Sequence, residues 1–122
     1  MLMDRDALAA QTVYFELDRS EIHPDDEAKV EAVAGILAQD EANKVLIEGH
    51  CDERGTEEYN RALGERRALS VRDALAGLGV SADRIRTMSF GEDRPADPGL
   101  NEAAYSRNRR GEFILLKPKP SN

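Results

Sequence analysis

Cysteine occurs once in this chain, as Cys51, so no intramolecular disulfide can form, and the redox compartment is left open. Tryptophan is absent and aromatic residues make up only 5% of the sequence, which leaves few platforms on which single-stranded bases could stack. Basic residues are outnumbered, 17 against 24 acidic, for a net charge of -7, and that sign argues against general nucleic-acid binding. No run approaches the ~18 apolar residues needed to cross a bilayer, and Met1 to Ala10 lacks the apolar centre of a secretory signal. Breakers are sparse except between Gly91 and Leu100, so most of the 122 residues are free to form regular elements around one core.

What is present organises around residues 48 to 68. Val45, Leu46 and Ile47 read as a buried strand, Gly49 and Gly55 bracket a polar loop carrying His50, Cys51, Asp52, Glu53 and Arg54, and Thr56 suits the N-cap of a helix starting at Glu57. Polar groups at such a strand-to-helix turn are where α/β proteins commonly hold a ligand. On the helix, a period of about 100° per residue places Tyr59, Leu63, Ser70, Val71, Ala74 and Leu78 on a core-facing stripe, with Arg67 near its centre and Asn60 towards an edge. A guanidinium there needs a carboxylate, a bound anion, or both, and Asp52 is the nearest acid in sequence.

The other elements follow from simpler signals. Residues 1 to 11 read as a loose lead-in with a helical tendency at Asp6 to Ala10. Val13, Phe15 and Leu17 alternate with Tyr14 and Glu16 as in a half-buried strand. Pro24 with Asp25, Asp26 and Glu27 starts a helix over Ala28 to Gln39 that buries Val30, Val33, Ala34 and Leu37. Ile85 to Phe90 and Arg109 to Lys117 are further strands, with a turn of helix at Asn101 to Tyr105 between them, and residues 119 to 122 are a tail. The order β-α-β-α-β-(short α)-β predicts an α+β domain over residues 12 to 118, a four-stranded mixed sheet with two main helices on one face.

Three chemistries were weighed for the central turn. His50, Cys51 and Asp52 include three metal-ligand types, but neighbours on extended backbone point apart and no second Cys/His cluster completes a tetrahedral set, so no metal or other cofactor is expected. Cys51 beside His50 lacks the spatial arrangement of a nucleophile and base drawn from distant parts of a chain, and no residue is assigned a catalytic role. Asp52 with Arg67 has two readings: a salt bridge that pins loop to helix, or a matched pair for a zwitterionic amino-acid head group, carboxylate to ammonium and guanidinium to carboxylate. Of the paired arginines, Arg109 and Arg110, one is expected to brace the binding face while the other meets solvent.

Taken together, Gly49-His-Cys-Asp-Glu-Arg-Gly-Thr56, Tyr59-Asn60, Leu63-Gly-Glu-Arg-Arg-Ala68, Ser89-Phe-Gly-Glu92 and Asn108-Arg-Arg110 resemble the OmpA-like C-terminal domain, in the wording of its peptidoglycan-associated lipoprotein branch. The likeness runs from about Val13 to Leu116, and Cys51 and Gly111-Glu112-Phe113 depart from the usual pattern. The resemblance implies non-covalent, non-enzymatic binding of the diaminopimelate-containing stem peptide of peptidoglycan. Asp52 and Arg67 would grip the zwitterion, and Asn60, Asp18 and Leu63 would line the groove with Arg109 in support. It also implies a periplasmic protein tethered to the outer membrane by an N-terminal lipid absent from this chain, with Tol proteins as partners in envelope integrity and division. Porin tails and flagellar stator domains share equivalents of Asp52 and Arg67 and remain alternatives, as does a Tol-binding domain without wall contact.

Overall fold

The computed structural model describes residues 1–52 and 54–120; Glu53 and residues 121–122, the end of the expected tail, lie outside the described residues. Among the described residues five strands run β1 (Leu2–Asp4), β2 (Val13–Tyr14), β3 (Lys44–His50), β4 (Ile85–Gly91) and β5 (Arg110–Lys117). They form one mixed sheet in the order β1-β5-β3-β4, with β2 also paired to β5. β3 lies parallel to β4 and antiparallel to β5. Among the described residues the α-helices α1 (Glu27–Ala38), α2 (Glu57–Gly77) and α3 (Glu102–Asn108) complete the α+β architecture.

One face of the sheet carries the core. Val45 and Ile47 of β3, Phe113 and Leu115 of β5 and Ile85 of β4 meet Val30, Val33 and Leu37 of α1 and Ala68, Val71 and Leu75 of α2. The alternate residues Leu46, Ile114 and Leu116 make a second, smaller cluster. That alternation is the pleat expressed as two faces.

The departures from expectation have physical reasons. The fifth strand, β1, falls in the supposed lead-in: Leu2, Met3 and Asp4 pair with Lys117, Leu116 and Leu115, a partner more than a hundred residues away that three residues of local pattern cannot announce. The strand expected through Leu17 stops at Tyr14. The buried stripe of α2 is rotated from the one expected: Tyr59 and Leu78 are exposed, while Asn60, Leu63, Gly64, Arg67, Ala68, Val71 and Leu75 face inward. Gly64 sets that rotation, because its carbonyl oxygen would be only 1.7 Å from a Cβ on Gly49, so helix and strand touch backbone to backbone. Two glycines thus aim the helix, and with it Arg67, at the end of β3.

Candidate functional site

Where β3 ends and α2 begins, a cavity of about 280 Å³ opens. Its lining includes all six residues singled out from the sequence: Asp18, Asp52, Asn60, Leu63, Arg67 and Arg109. Thr56 caps α2 as expected, its hydroxyl accepting from the Tyr59 N–H at 3.0 Å, which fixes the entry of the helix beneath the loop.

Arg67 is completely buried. The expected contact with Asp52 is not how it is held: its Nε–H donates to the Arg19 carbonyl at 2.8 Å, Nη1 to the His50 carbonyl at 2.9 Å and Nη2 to the Glu16 carbonyl at 3.1 Å. Its guanidinium carbon sits 5.2 Å from the centre of the Phe15 ring. A carboxylate was expected because a buried cation must be compensated, but converging carbonyl dipoles supply part of that compensation. Burial lowers its pKa from the ordinary value, with Cys51 and Asp52 opposing the shift. Three of its five N–H groups are satisfied by these carbonyls, and the Cys51 thiol lies within hydrogen-bond reach of the same guanidinium.

Asp52 is paired elsewhere. Arg54 clasps it with Nε to Oδ1 at 3.1 Å and Nη2 to Oδ2 at 2.8 Å, its backbone N–H adds 3.0 Å to Oδ1, and Arg109 Nη1 stands 3.4 Å from Oδ2. Burial pushes the Asp52 carboxyl up, but the Arg54 bonds, with Arg109 behind them, outweigh it and hold the group below its ordinary 3.8. A depressed carboxyl contributes stability that is fully present above the unfolded value and is lost as pH falls through the lower folded value. Urea denaturation of wild type and Asp52→Asn should therefore show a constant gap above pH 5 that narrows as pH falls below 3.8; a pH-independent gap would mean Asp52 is not held ionised.

The supporting residues occupy definite places. Asn60 donates from Nδ2 to the Asp52 carbonyl at 3.4 Å and to Glu92 Oε1 at 3.2 Å, buried between loop and strand. Asp18, at a φ of 57°, accepts from the Tyr59 hydroxyl at 3.1 Å. Arg109 donates to the Phe15 carbonyl at 3.0 Å and to Glu102 Oε1 at 2.9 Å, tying β2, the loop and α3 together. It braces this face, as expected of one of the paired arginines. Arg110 does point to the other face, but it is buried rather than solvated, bonded to Glu112, Asn108 and Arg94.

Arg54, which the sequence analysis placed in the polar loop without a role, lines the cavity and clasps Asp52. Its position two residues after an aspartate, where an Asx-type turn returns the backbone N–H to the carboxylate, was the available signal. Cys51 is buried, its thiol donating to the Asn60 carbonyl at 3.1 Å, and burial raises its pKa. No helix among the described residues is long and apolar enough to cross a membrane.

Known proteins resemble this chain in sequence and in fold. The peptidoglycan-associated lipoprotein of Haemophilus influenzae is 52% identical over 99 residues, which is 81% of this chain and 65% of that protein, and its Pasteurella multocida counterpart is 48% identical over 81% and 66%. This chain therefore spans just under two thirds of the length of those relatives. Among solved structures, the peptidoglycan-associated lipoprotein of Burkholderia pseudomallei superposes with a TM-score of 0.84 at 37% identity, covering 86% of this chain and 89% of that one. The C-terminal domain of Helicobacter pylori MotB shares the fold alone, with a TM-score of 0.80 at 21% identity over 88% and 84% of the two chains. With residues 14–109 matching the OmpA family and relatives at 52% and 48% identity over 81% of its length, this chain belongs to the OmpA family.

Proposed function

We propose that the chain is a non-enzymatic wall-binding module whose cavity takes the diaminopimelate residue of a peptidoglycan stem peptide, and so anchors an outer membrane to the cell wall. One observation carries the reading: Asp52 and a fully buried Arg67 line the same small cavity. Diaminopimelate ends its methylene chain in an ammonium and a carboxylate, so the cavity can offer a carboxylate to one and a guanidinium to the other. Leu17, Leu63 and Tyr59 supply the wall for the methylenes. The ammonium takes the place of the Arg54 guanidinium on Asp52, and Glu102, 3.6 Å from Arg54 Nη2, gives the displaced arginine a second acceptor.

The names of the relatives support wall association, and the family resemblance extends it to a lipid-tethered periplasmic protein with Tol-type partners at the same face, which would then compete with peptidoglycan. Washed sacculi decide the first point: the protein should pellet with them, and a domain that recognises only Tol-type proteins would stay in the supernatant. Calorimetry with muropeptides decides the second. Replacing diaminopimelate by lysine deletes the carboxylate that Arg67 would receive, and affinity should fall by about 1.5–3 kcal/mol, roughly one to two orders of magnitude in Kd. Equal affinity for the two peptides would remove the zwitterion from the proposal.

A further inference from the structure

The opposite face of the sheet holds a second cluster, unrelated to the cavity. Glu48 on β3 and Glu112 on β5 are direct register partners, and His50 lies two residues along the same face of β3. Like charges placed directly across an antiparallel pair repel, so this position demands a cation. One side chain oxygen of each acid and one ring nitrogen of His50 lie within 4.8 Å of one another. His50 Nε2 is 3.4 Å from Glu48 Oε1 and 3.7 Å from Glu112 Oε2. These separations are long for charge-assisted hydrogen bonds, but they are close to the edge of a tetrahedron with bonds of about 2.0–2.1 Å, which is about 3.4 Å.

We propose that Glu48, His50 and Glu112 form a binding site for a divalent transition-metal ion of the zinc class, which enters by displacing Arg5. One imidazole with two carboxylates suits zinc and its neighbours, whereas calcium and magnesium require a fuller shell of oxygens. Glu48 and His50 are only 1% exposed. The resident cation is Arg5, whose Nη1 and Nη2 reach Glu48 at 3.0 and 2.8 Å. Its side chain is nearly half exposed and stands just beyond β1, so it can return to water at little cost. Arg110 stays behind, donating to Glu112 Oε2 at 2.5 Å, and serves as the outer hydrogen bond that orients a ligating carboxylate.

The imidazole lacks such support. Phe90 stacks on it at 5.5 Å between centroids, and its Nδ1 has no partner among the described residues. The missing outer bond should weaken the site about 10–100-fold relative to one that has it. The sequence-based expectation of no metal rested on His50 with Cys51 and Asp52, whereas the carboxylates of this cluster come from the alternate position of β3 and from β5.

Zinc titration of metal-stripped protein, by calorimetry and by thermal unfolding, tests the site. The expected result is one ion per chain and a raised Tm, with affinity reduced at least tenfold in Glu112→Gln and in His50→Asn, and unchanged in His23→Asn. Glu112→Gln, at the partly exposed margin, keeps the test intact should His50→Asn fail to fold. Arg5→Ala distinguishes a metal site from an ion-pair network: it should bind zinc about tenfold more tightly, and zinc should restore the Tm that the substitution costs. An Arg5→Ala protein that zinc does not restore, or binding that survives Glu112→Gln or disappears with His23→Asn, would overturn the proposal.

Discussion

Arg67→Ala should abolish muropeptide binding and lower the free energy of unfolding by about 3 kcal/mol at the same time. The binding loss, about 2–5 kcal/mol, follows from deleting one member of a desolvated charged contact. The stability loss has a different origin. The Arg19 and His50 carbonyls would lose their guanidinium donor, whereas the Glu16 carbonyl keeps the Arg19 N–H at 3.1 Å, and alanine would also leave a void under Phe15. Each unmet buried acceptor costs about 1–3 kcal/mol, reduced here because water can reach the partly buried Arg19 carbonyl. Arg67→Lys should recover little, since an ammonium on a flexible stem can address one carbonyl well but not three in a fork. Asp52→Ala is the matched comparison: its partners Arg54 and Arg109 retain Glu102 as an acceptor, so binding should fall with a smaller loss of stability. Urea denaturation and calorimetry on the same preparations separate the two effects. An Arg67→Ala protein as stable as wild type would show that the carbonyls find other donors.

The grouping of six residues around one cavity was anticipated, but its wiring was not. Asp52, Asn60, Arg67 and Arg109 were picked out from residue type and position and Asp18 and Leu63 from the family resemblance, and all six line one cavity. Which donor meets which acceptor depends on backbone carbonyls, and these carry no residue-specific signal in a sequence. Arg67 was recognised as anomalous by its place on the apolar stripe, yet its actual partners are main-chain oxygens of residues 16, 19 and 50. Helix α2 shows the same division. Its N-cap at Thr56 followed from residue type, whereas the rotation of its buried face depends on a contact between Gly49 and Gly64 that apolar periodicity does not weigh. β1 was missed for the reason that makes short strands hard to see: three residues, Leu2 to Asp4, gain their structure from β5 at the far end of the chain.

That glycine contact yields the largest expected effect on folding. Gly49→Ala would place a Cβ 1.7 Å from the Gly64 carbonyl oxygen and 2.6 Å from its carbon, atoms of helix backbone that no rotamer change can move. Restoring even a 3.0 Å separation requires strand and helix to part by about 1.3 Å. The core would have to follow, since Ala68, Val71 and Leu75 on the same helix pack against the sheet. Overpacking commonly costs about 1–3 kcal/mol where side chains can yield, so a clash confined to backbone should cost at least about 3 kcal/mol, a large part of the 5–15 kcal/mol that holds a typical domain. Gly35→Ala tests the reasoning with the opposite sign. A Cβ there meets nothing within 4 Å, and in the middle of α1 alanine should stabilise the protein by about 0.5–1 kcal/mol. Chemical denaturation of the two variants measures both effects, and a Gly49→Ala protein that unfolds at the wild-type midpoint would refute the close approach. Any Gly49→Ala protein that still folds should bind muropeptide poorly although every cavity side chain is intact, because Arg67 lies three residues beyond Gly64 and moves with the displaced helix. The fork that would read a carboxylate is therefore positioned by the absence of a methyl group on the neighbouring strand.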